Sequence, residues 1–150
     1  MVEKGKKWWK VGFLPRLDSM FLGEFPLVRD EKRRLYLPKK IRTELGTGSL
    51  ILTRGYENCI FGWQLDQWEK SNQASLERPV TDLEARNIRR YLFSAAEVCM
   101  VDKLGRIVVP EQLSKHSGLG PEVVLIGAGD HLEIWDKHAW TDYLSYLERE

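Results

Sequence analysis

The residues with the clearest chemical potential are two arginines, each four positions after an aspartate. Asp30-Glu-Lys-Arg-Arg34 and Asp102-Lys-Leu-Gly-Arg106 share the pattern Asp-x-x-x-Arg. An aspartate that opens a turn accepts backbone N–H groups two and more residues on, and it can also ion-pair with the arginine that closes the turn. Taken once, such a pair only pins a hairpin, and exposed pairs of this kind contribute little. Taken twice in one chain, it presents two guanidinium groups, whose planar forks suit phosphates and guanine edges. Arg34 and Arg106 are therefore the candidate contacts to an anionic polymer, with Lys32, Arg33 and Lys103 adding charge directed at phosphates. Asp30, Asp102 and Gly105 are the candidate organisers of the loops, Gly105 suiting a position of positive φ.

The elements that position these loops repeat with them. Shifting the chain by 72 residues, from 30 to 102, superimposes special residues without a gap: Pro38 on Pro110, Gly46 on Gly118, Gly48 on Gly120, Gly55 on Gly127, Trp63 on Trp135 and Trp68 on Trp140. Leu35 and Leu37 fall on Ile107 and Val109, Ile51 and Leu52 on Val123 and Val124, and Ile60 on Leu132. The coincidences involve residues that fix backbone geometry, the mark of a duplicated structural unit. Each copy reads as a strand (25–28; 98–101), the charged turn and a strand (34–37; 106–109). A short helix follows, with proline as its first residue and glycine after its end (38–45; 110–116), and then two strands (50–53 and 59–63; 122–126 and 131–135).

Residues 65–76 fit a helix, and Asp136 caps another whose Trp140, Tyr143, Leu144 and Leu147 share a face. Between the copies, Thr81-Asp-Leu-Glu84 reads as a capping box ahead of Ile88, Tyr91, Leu92 and Ala95, with Arg86, Arg89 and Arg90 mostly opposite. Residues 73–79 read as a hinge. The division expected is an extension at 1–19, either a flexible arm or an artefact of start-site choice, one repeat at 20–68, a helical connector at 69–96 and a second repeat with its terminal helix at 97–150. Each repeat is too small to bury a sufficient core alone, so the two should pack about a pseudo-two-fold axis, with the repeated tryptophans as core or interface anchors.

Composition excludes several classes. With 43% hydrophobic and 30% charged residues among 150, the composition is that of an ordinary globular protein, and the order of strands and helices makes the expected fold class α+β and β-rich. Charges interrupt every apolar run, so no membrane span is expected. Cys59 and Cys99 stand singly among apolar neighbours, and His116, His131 and His138 lack zinc-ligand spacing, so buried thiols and no metal or other cofactor are expected. The net charge of +1 conceals a local basic patch at 29–42: Arg29, Lys32, Arg33, Arg34, Lys39, Lys40 and Arg42 against Asp30 and Glu31. Residues 1–19 are basic as well, but lack the apolar stretch and cleavage site of an export signal. An enzyme is disfavoured: there is no Gly-rich phosphate loop or nucleophile elbow, and loop carboxylates beside arginines stay ionised.

The segment from Met20 to Trp140 resembles the MraZ family of bacterial transcriptional regulators, built from two tandem AbrB-like (SpoVT-AbrB) swapped-hairpin units. The resemblance rests on Met20-Phe-Leu-Gly-Glu, Asp30-x-x-x-Arg34-Leu-x-x-Pro38, Asp102-Lys-Leu-Gly-Arg106-Ile-x-x-Pro110, and the helical insert between the copies. It implies a pseudo-two-fold double-split β-barrel with flanking helices. It also implies double-stranded DNA binding through the Asp-x-x-x-Arg loops, homo-oligomeric rings on promoter direct repeats, and a cytoplasmic, nucleoid-associated regulator of a division and cell-wall gene cluster, with no small-molecule substrate. Two departures stand out: Arg33 replaces the motif glycine in the first loop, leaving its backbone and its register on DNA open, and residues 1–19 precede the family's usual start. The competing class is a protein-binding module of the antitoxin-like swapped-hairpin type, which the duplication and the ordered C-terminal helix disfavour.

Overall fold

Alternation in the strands sorts side chains to two faces, and the two faces build two cores. A computed structural model describes residues 20–46 and 48–149; the proposed extension 1–19 lies outside the described residues. The first half runs β1 (Phe21–Val28), β2 (Arg34–Tyr36), α1 (Lys39–Leu45), β3 (Ser49–Arg54), β4 (Ile60–Trp63) and α2 (Leu65–Glu77). After α3 (Leu83–Phe93), the second half repeats the order as β5 (Glu97–Met100), β6 (Arg106–Val108), α4 (Glu111–Ser117), β7 (Glu122–Gly129), β8 (Leu132–Asp136) and α5 (Lys137–Arg149). The fold is mixed α+β, as the sequence suggests.

The strands form a six-stranded antiparallel sheet, β1-β7-β8-β4-β3-β5, and a separate two-stranded ribbon, β2-β6. Strands are exchanged between halves: β1 pairs with β7 of the second half, and β5 pairs with β3 of the first. Read backwards with the halves interchanged, the sheet order is unchanged, so a pseudo-two-fold axis relates the repeats. The axis passes through Leu35 opposite Ile107 in the ribbon and through Phe61 opposite Glu133 where β4 meets β8. Strands β1 and β5 are the sheet's two edges, and the described ladders do not close into a barrel.

One face of the sheet buries Leu50, Leu52, Ile60, Val123, Leu125, Leu132 and Ile134 against Leu35 and Ile107 of the ribbon and Ile41 and Leu113 of the short helices. The other buries Ile51, Phe61, Trp63 and Trp135, with Trp68, Trp140 and Tyr143 packed against them. The paired tryptophans are thus core anchors. Leu35 and Ile107 are fully buried, each contributing about 1.5–3 kcal/mol of apolar burial, which ties the ribbon to the sheet. Cys59 and Cys99 are free and buried, and burial raises both thiols, Cys99 to about 11. No helix is long and apolar enough among the described residues to cross a membrane.

Several expectations need correction. Pro38 and Pro110 are caps preceding α1 and α4 rather than their first residues. The α3 cap is Asp82, whose carboxylate accepts from Ala85 N at 3.2 Å, not Thr81. The supposed hinge is mostly helical, since α2 continues to Glu77. Arg89 does not face away from the core: it donates to the carbonyls of Ser75 and Arg78 and ties the end of α2 to α3.

The repeat is also not gapless. Ser49 pairs with Met100 as Glu122 pairs with Val28, so β3 maps onto β7 with a shift of 73, whereas Phe61 still maps onto Glu133 with 72. An extra residue before β7 is cancelled in the following hairpin: Gly55 N bonds Cys59 O in the first copy, and Ala128 N bonds His131 O in the second, one residue tighter. Gly55 therefore corresponds to Ala128, and its coincidence with Gly127 has no structural meaning.

Candidate nucleic-acid interface

The two charged loops share one hydrogen-bonding plan. Asp30 Oδ1 accepts from Lys32 N at 2.9 Å and Arg34 N at 3.0 Å, and its Oδ2 accepts from Arg34 Nε at 2.6 Å. Asp102 Oδ1 accepts from Leu104 N at 2.9 Å and Arg106 N at 2.8 Å, and its Oδ2 from Arg106 Nε at 2.7 Å. Each turn is closed by two further backbone bonds, Asp30 N to Arg34 O and Arg33 N to Asp30 O, repeated by Asp102, Arg106 and Gly105. The backbone N–H of the arginine, joined by its guanidinium, holds each carboxylate below its usual range. Ionised around neutral pH, these carboxylates position arginines and are unsuited to exchanging protons there.

The departure at Arg33 leaves the loop intact. Arg33 takes φ +61° and Gly105 +81°, so an arginine occupies the left-handed conformation that glycine occupies in the other copy. The difference lies in what covers the loop. A Cβ on Gly105 would meet Arg42 Cδ at 2.5 Å, because Arg42 of α1 lies across that glycine. At the matching place in α4 stands the small Ser114, and Arg33 extends to Glu111 at 3.4 Å.

The loops clasp one another through the ribbon. Leu37 N donates to Gly105 O at 2.8 Å, and Val109 N donates to Arg33 O at 3.0 Å. Each loop thus abuts the end of the other repeat's strand, and the pair sits at opposite ends of a ribbon about 10 Å long at roughly 3.3 Å per residue. With Leu35 and Ile107 turned inward, the outward face carries Arg34, Tyr36, Arg106 and Val108. Aspartate holds only the Nε of each arginine. Among the described residues no carboxylate takes the terminal amino groups of Arg34 or Arg106, the Tyr36 side chain alone lying beside those of Arg106, so two forks are presented on one surface. Arg106 also lies over the ring of Tyr36, 5.7 Å from its centre, whereas Arg34 faces Val108 across the ribbon.

The other expected contacts divide. Lys32 and Lys103 are exposed on the loops, and Arg33 is exposed but paired with Glu111. Arg29, part of the basic patch, is an internal brace: it donates to Ser114 Oγ at 2.8 Å, Leu119 O at 2.8 Å and Gly120 O at 3.1 Å. Burial lowers its pKa, with Arg33 nearby adding to the effect. Tyr36 was not anticipated as part of the surface, although its two-residue spacing from Arg34 in a strand places both on one face. Among the described residues no cluster of three or more His, Cys, Asp or Glu is arranged to hold a metal ion.

A family model described as "MraZ protein, putative antitoxin-like" matches residues 20–91 and again 92–150. A protein of Limosilactobacillus fermentum named "Transcriptional regulator MraZ" is 40% identical over 124 residues, 83% of this chain and 86% of its own length. Proteins with the same name from Heliobacterium modesticaldum and Paenarthrobacter aurescens are 39% and 42% identical, over 83% and 86% of this chain and 86% and 90% of their own.

Proposed function

The chain belongs to the MraZ family, and on that premise we propose that it is a non-enzymatic, sequence-specific DNA-binding regulator of transcription. The observation that carries this reading is the pair of aspartate-fixed arginines, Arg34 and Arg106, sharing the outer face of one ribbon about a pseudo-two-fold axis. Fixing Nε removes torsional freedom from each guanidinium while leaving its amino groups for a guanine edge or a phosphate. Lys32 and Lys103 supply phosphate contacts that hold the register. The exchange of β1 and β5 between halves supports reading the fold as two swapped-hairpin units in a double-split arrangement. The repeats are taken as 20–68 and 97–150, with 69–96 as connector.

The target is the promoter of its own division and cell-wall gene cluster, bound in the cytoplasm at the nucleoid. Several subunits arranged in a ring engage successive direct repeats, so that modest contacts multiply through effective concentration. The test is fluorescence anisotropy of the full chain against DNA from upstream of its own gene and against scrambled duplex, across a salt series. Preferential, salt-steep binding that disappears in Arg34→Ala/Arg106→Ala is the expected result. If the double variant binds as wild type does, the loops are not the interface. The antitoxin-like wording of the family description supplies the competing reading, which equal weak binding to both duplexes and recovery of a small nuclease in a pulldown would favour.

A further inference from the structure

The two loops are matched in backbone and unmatched in charge. Around the first, Asp30, Glu31 and Glu111 stand among Lys32, Arg33 and Arg34, with Arg29 braced internally beside them, and Glu111 takes both Arg33 and Lys115. Around the second, Lys103, Arg106 and Arg42 face Asp102 alone, a surplus of two positive charges. Arg42 reaches this loop from the other repeat. Its Nε donates to Leu37 O at 3.0 Å, whose own N–H binds Gly105 O, so the side chain is fixed above the loop. Among the described residues Arg42 has no carboxylate partner.

Beside it lies a cavity of about 340 Å³ lined by Arg42, Lys103, Gly105, Asp102, Val101 and Gly48. The matching region of the first half is filled from within. Val101 corresponds to Arg29, whose guanidinium satisfies Ser114, Leu119 and Gly120 there. The pseudo-symmetry thus provides an internal control: in one half Arg29 and Arg33 are engaged internally, and the other leaves Arg42 and Lys103 around an open cavity. Asp102 offers that cavity little repulsion, since both its oxygens are engaged by backbone N–H groups and by Arg106.

We propose that this cavity is a site for a DNA backbone phosphate, with Arg42 and Lys103 as its cations, and that the second loop is the stronger backbone-binding half of the protein. The proposal rests on the DNA-binding reading above and deepens it by separating the loops. A phosphate site carries no base information, so its loss weakens all sequences alike and lowers the salt slope, by about 0.9 in log–log units per contact on duplex DNA.

The experiment measures anisotropy of the full chain with promoter and scrambled duplexes across a salt series, with thermal melting of every variant. Arg42→Gln should lower the slope by about one contact on both duplexes, Arg42→Lys should keep it, and Arg33→Gln should leave it near wild type. Glu111→Gln, which frees Arg33 and Lys115 without touching Arg42, should raise the slope, and Glu111→Gln combined with Arg33→Gln should return it toward wild type. Both Arg42 substitutions abolish the bond from Nε to Leu37, so a loss shared by Arg42→Lys would make Arg42 merely structural and overturn the proposal. An unchanged slope in Arg42→Gln, an equal loss in Arg33→Gln, or no gain in Glu111→Gln would overturn it as well. Inorganic phosphate at matched ionic strength should not mimic Arg42→Gln; if millimolar phosphate does so, the site serves the free anion instead. If wild type binds neither duplex, or Arg34→Ala/Arg106→Ala binds normally, the DNA-binding reading itself fails.

Discussion

Positions 33 and 105 share a backbone conformation but not a side chain, so substituting each tests the loop geometry quantitatively. Gly105→Ala places a Cβ at φ +81°, which costs an L-residue about 1–2 kcal/mol, partly offset by about 0.4–1 kcal/mol from a less flexible unfolded chain. The new methyl also meets Arg42 Cδ at 2.5 Å and turns that side chain away, losing its bond to Leu37 O, worth about 1 kcal/mol. The expected loss is about 2 kcal/mol, a fall in Tm of roughly 4–8 °C for a chain of this size. Arg33→Gly behaves differently. Relief of a similar backbone strain is offset by chain entropy and by the exposed 3.4 Å pair with Glu111, whose side chains are 47% and 61% accessible, so stability changes by about 0.5 kcal/mol or less. In the Arg42→Ala background the clash is absent, and Gly105→Ala should cost only about 1 kcal/mol. Urea unfolding of the four members of the Arg42/Gly105 cycle and of Arg33→Gly measures these differences. Additive effects at 42 and 105, or a loss at Arg33→Gly as large as at Gly105→Ala, would refute the claim that Arg42 is what the second loop's glycine accommodates.

Asp102→Ala raises net charge yet should weaken DNA binding, because Arg106 loses its anchor; tighter binding in the anisotropy assay would show that charge, not position, governs the loop. Arg29→Met should cost about 2 kcal/mol in urea unfolding, through the unpaired Ser114, Leu119 and Gly120 groups, while leaving the DNA salt slope unchanged. His131 sits between Asp130 and Glu133 at 2.8 and 2.9 Å; burial opposes its protonation, but the two carboxylates outweigh burial and the folded pKa is raised. A raised value stabilises the fold fully below the unfolded imidazole pKa of about 6.5 and less as pH climbs through the folded value, so the wild-type advantage over His131→Phe should shrink on the alkaline side; a constant difference across pH would exclude the linkage. Phe61→Glu would set a carboxylate opposite Glu133 at the pseudo-two-fold, and should cost more than the roughly 3–5 kcal/mol of Phe61→Ala, with Glu133→Gln recovering the excess in a double-mutant cycle measured by urea unfolding.

The repeat was legible because its markers are residues with backbone obligations. Asp30 and Asp102, Pro38 and Pro110, and Gly46 and Gly118 do the same work at the same places, and the tryptophans anchor the same face. What stayed hidden is partnership. Periodicity states which face of a strand is buried but not which strand lies beside it, so the exchange of β1 and β5 leaves no trace in either segment alone. The compensated one-residue shift was hidden for a similar reason: Gly127 fell on Gly55 by number, and the strand registers and the pairing of Ala128 with His131 expose the difference. Thr81 and Asp82 are both good caps, and which one bonds the helix depends on a turn set by Pro79. Arg42 and Tyr36 were overlooked as site residues because their significance comes from the other repeat, one lying over Gly105 and the other beneath Arg106.

Covalent duplication explains why the two halves could diverge where they did. In a dimer of identical chains, a residue on the two-fold axis must face its own copy, so a half-buried glutamate at the β4–β8 junction would confront another glutamate. Fusion lifts that constraint: Glu133 faces Phe61 and engages His131 and Trp135 within its own half, while Leu35 faces Ile107. The same freedom operates at the loops. Arg33 with Ser114 and Glu111 is one self-consistent solution for covering a left-handed turn, and Gly105 with Arg42 is another, yet mixing them fails, since a side chain at 105 collides with Arg42. Divergence is therefore paired across the repeats, with each loop matched to a helix from the other half, and this coupling allows the arginine of one left-handed turn to be engaged by Glu111 while the arginine that covers the other turn is left without a carboxylate among the described residues.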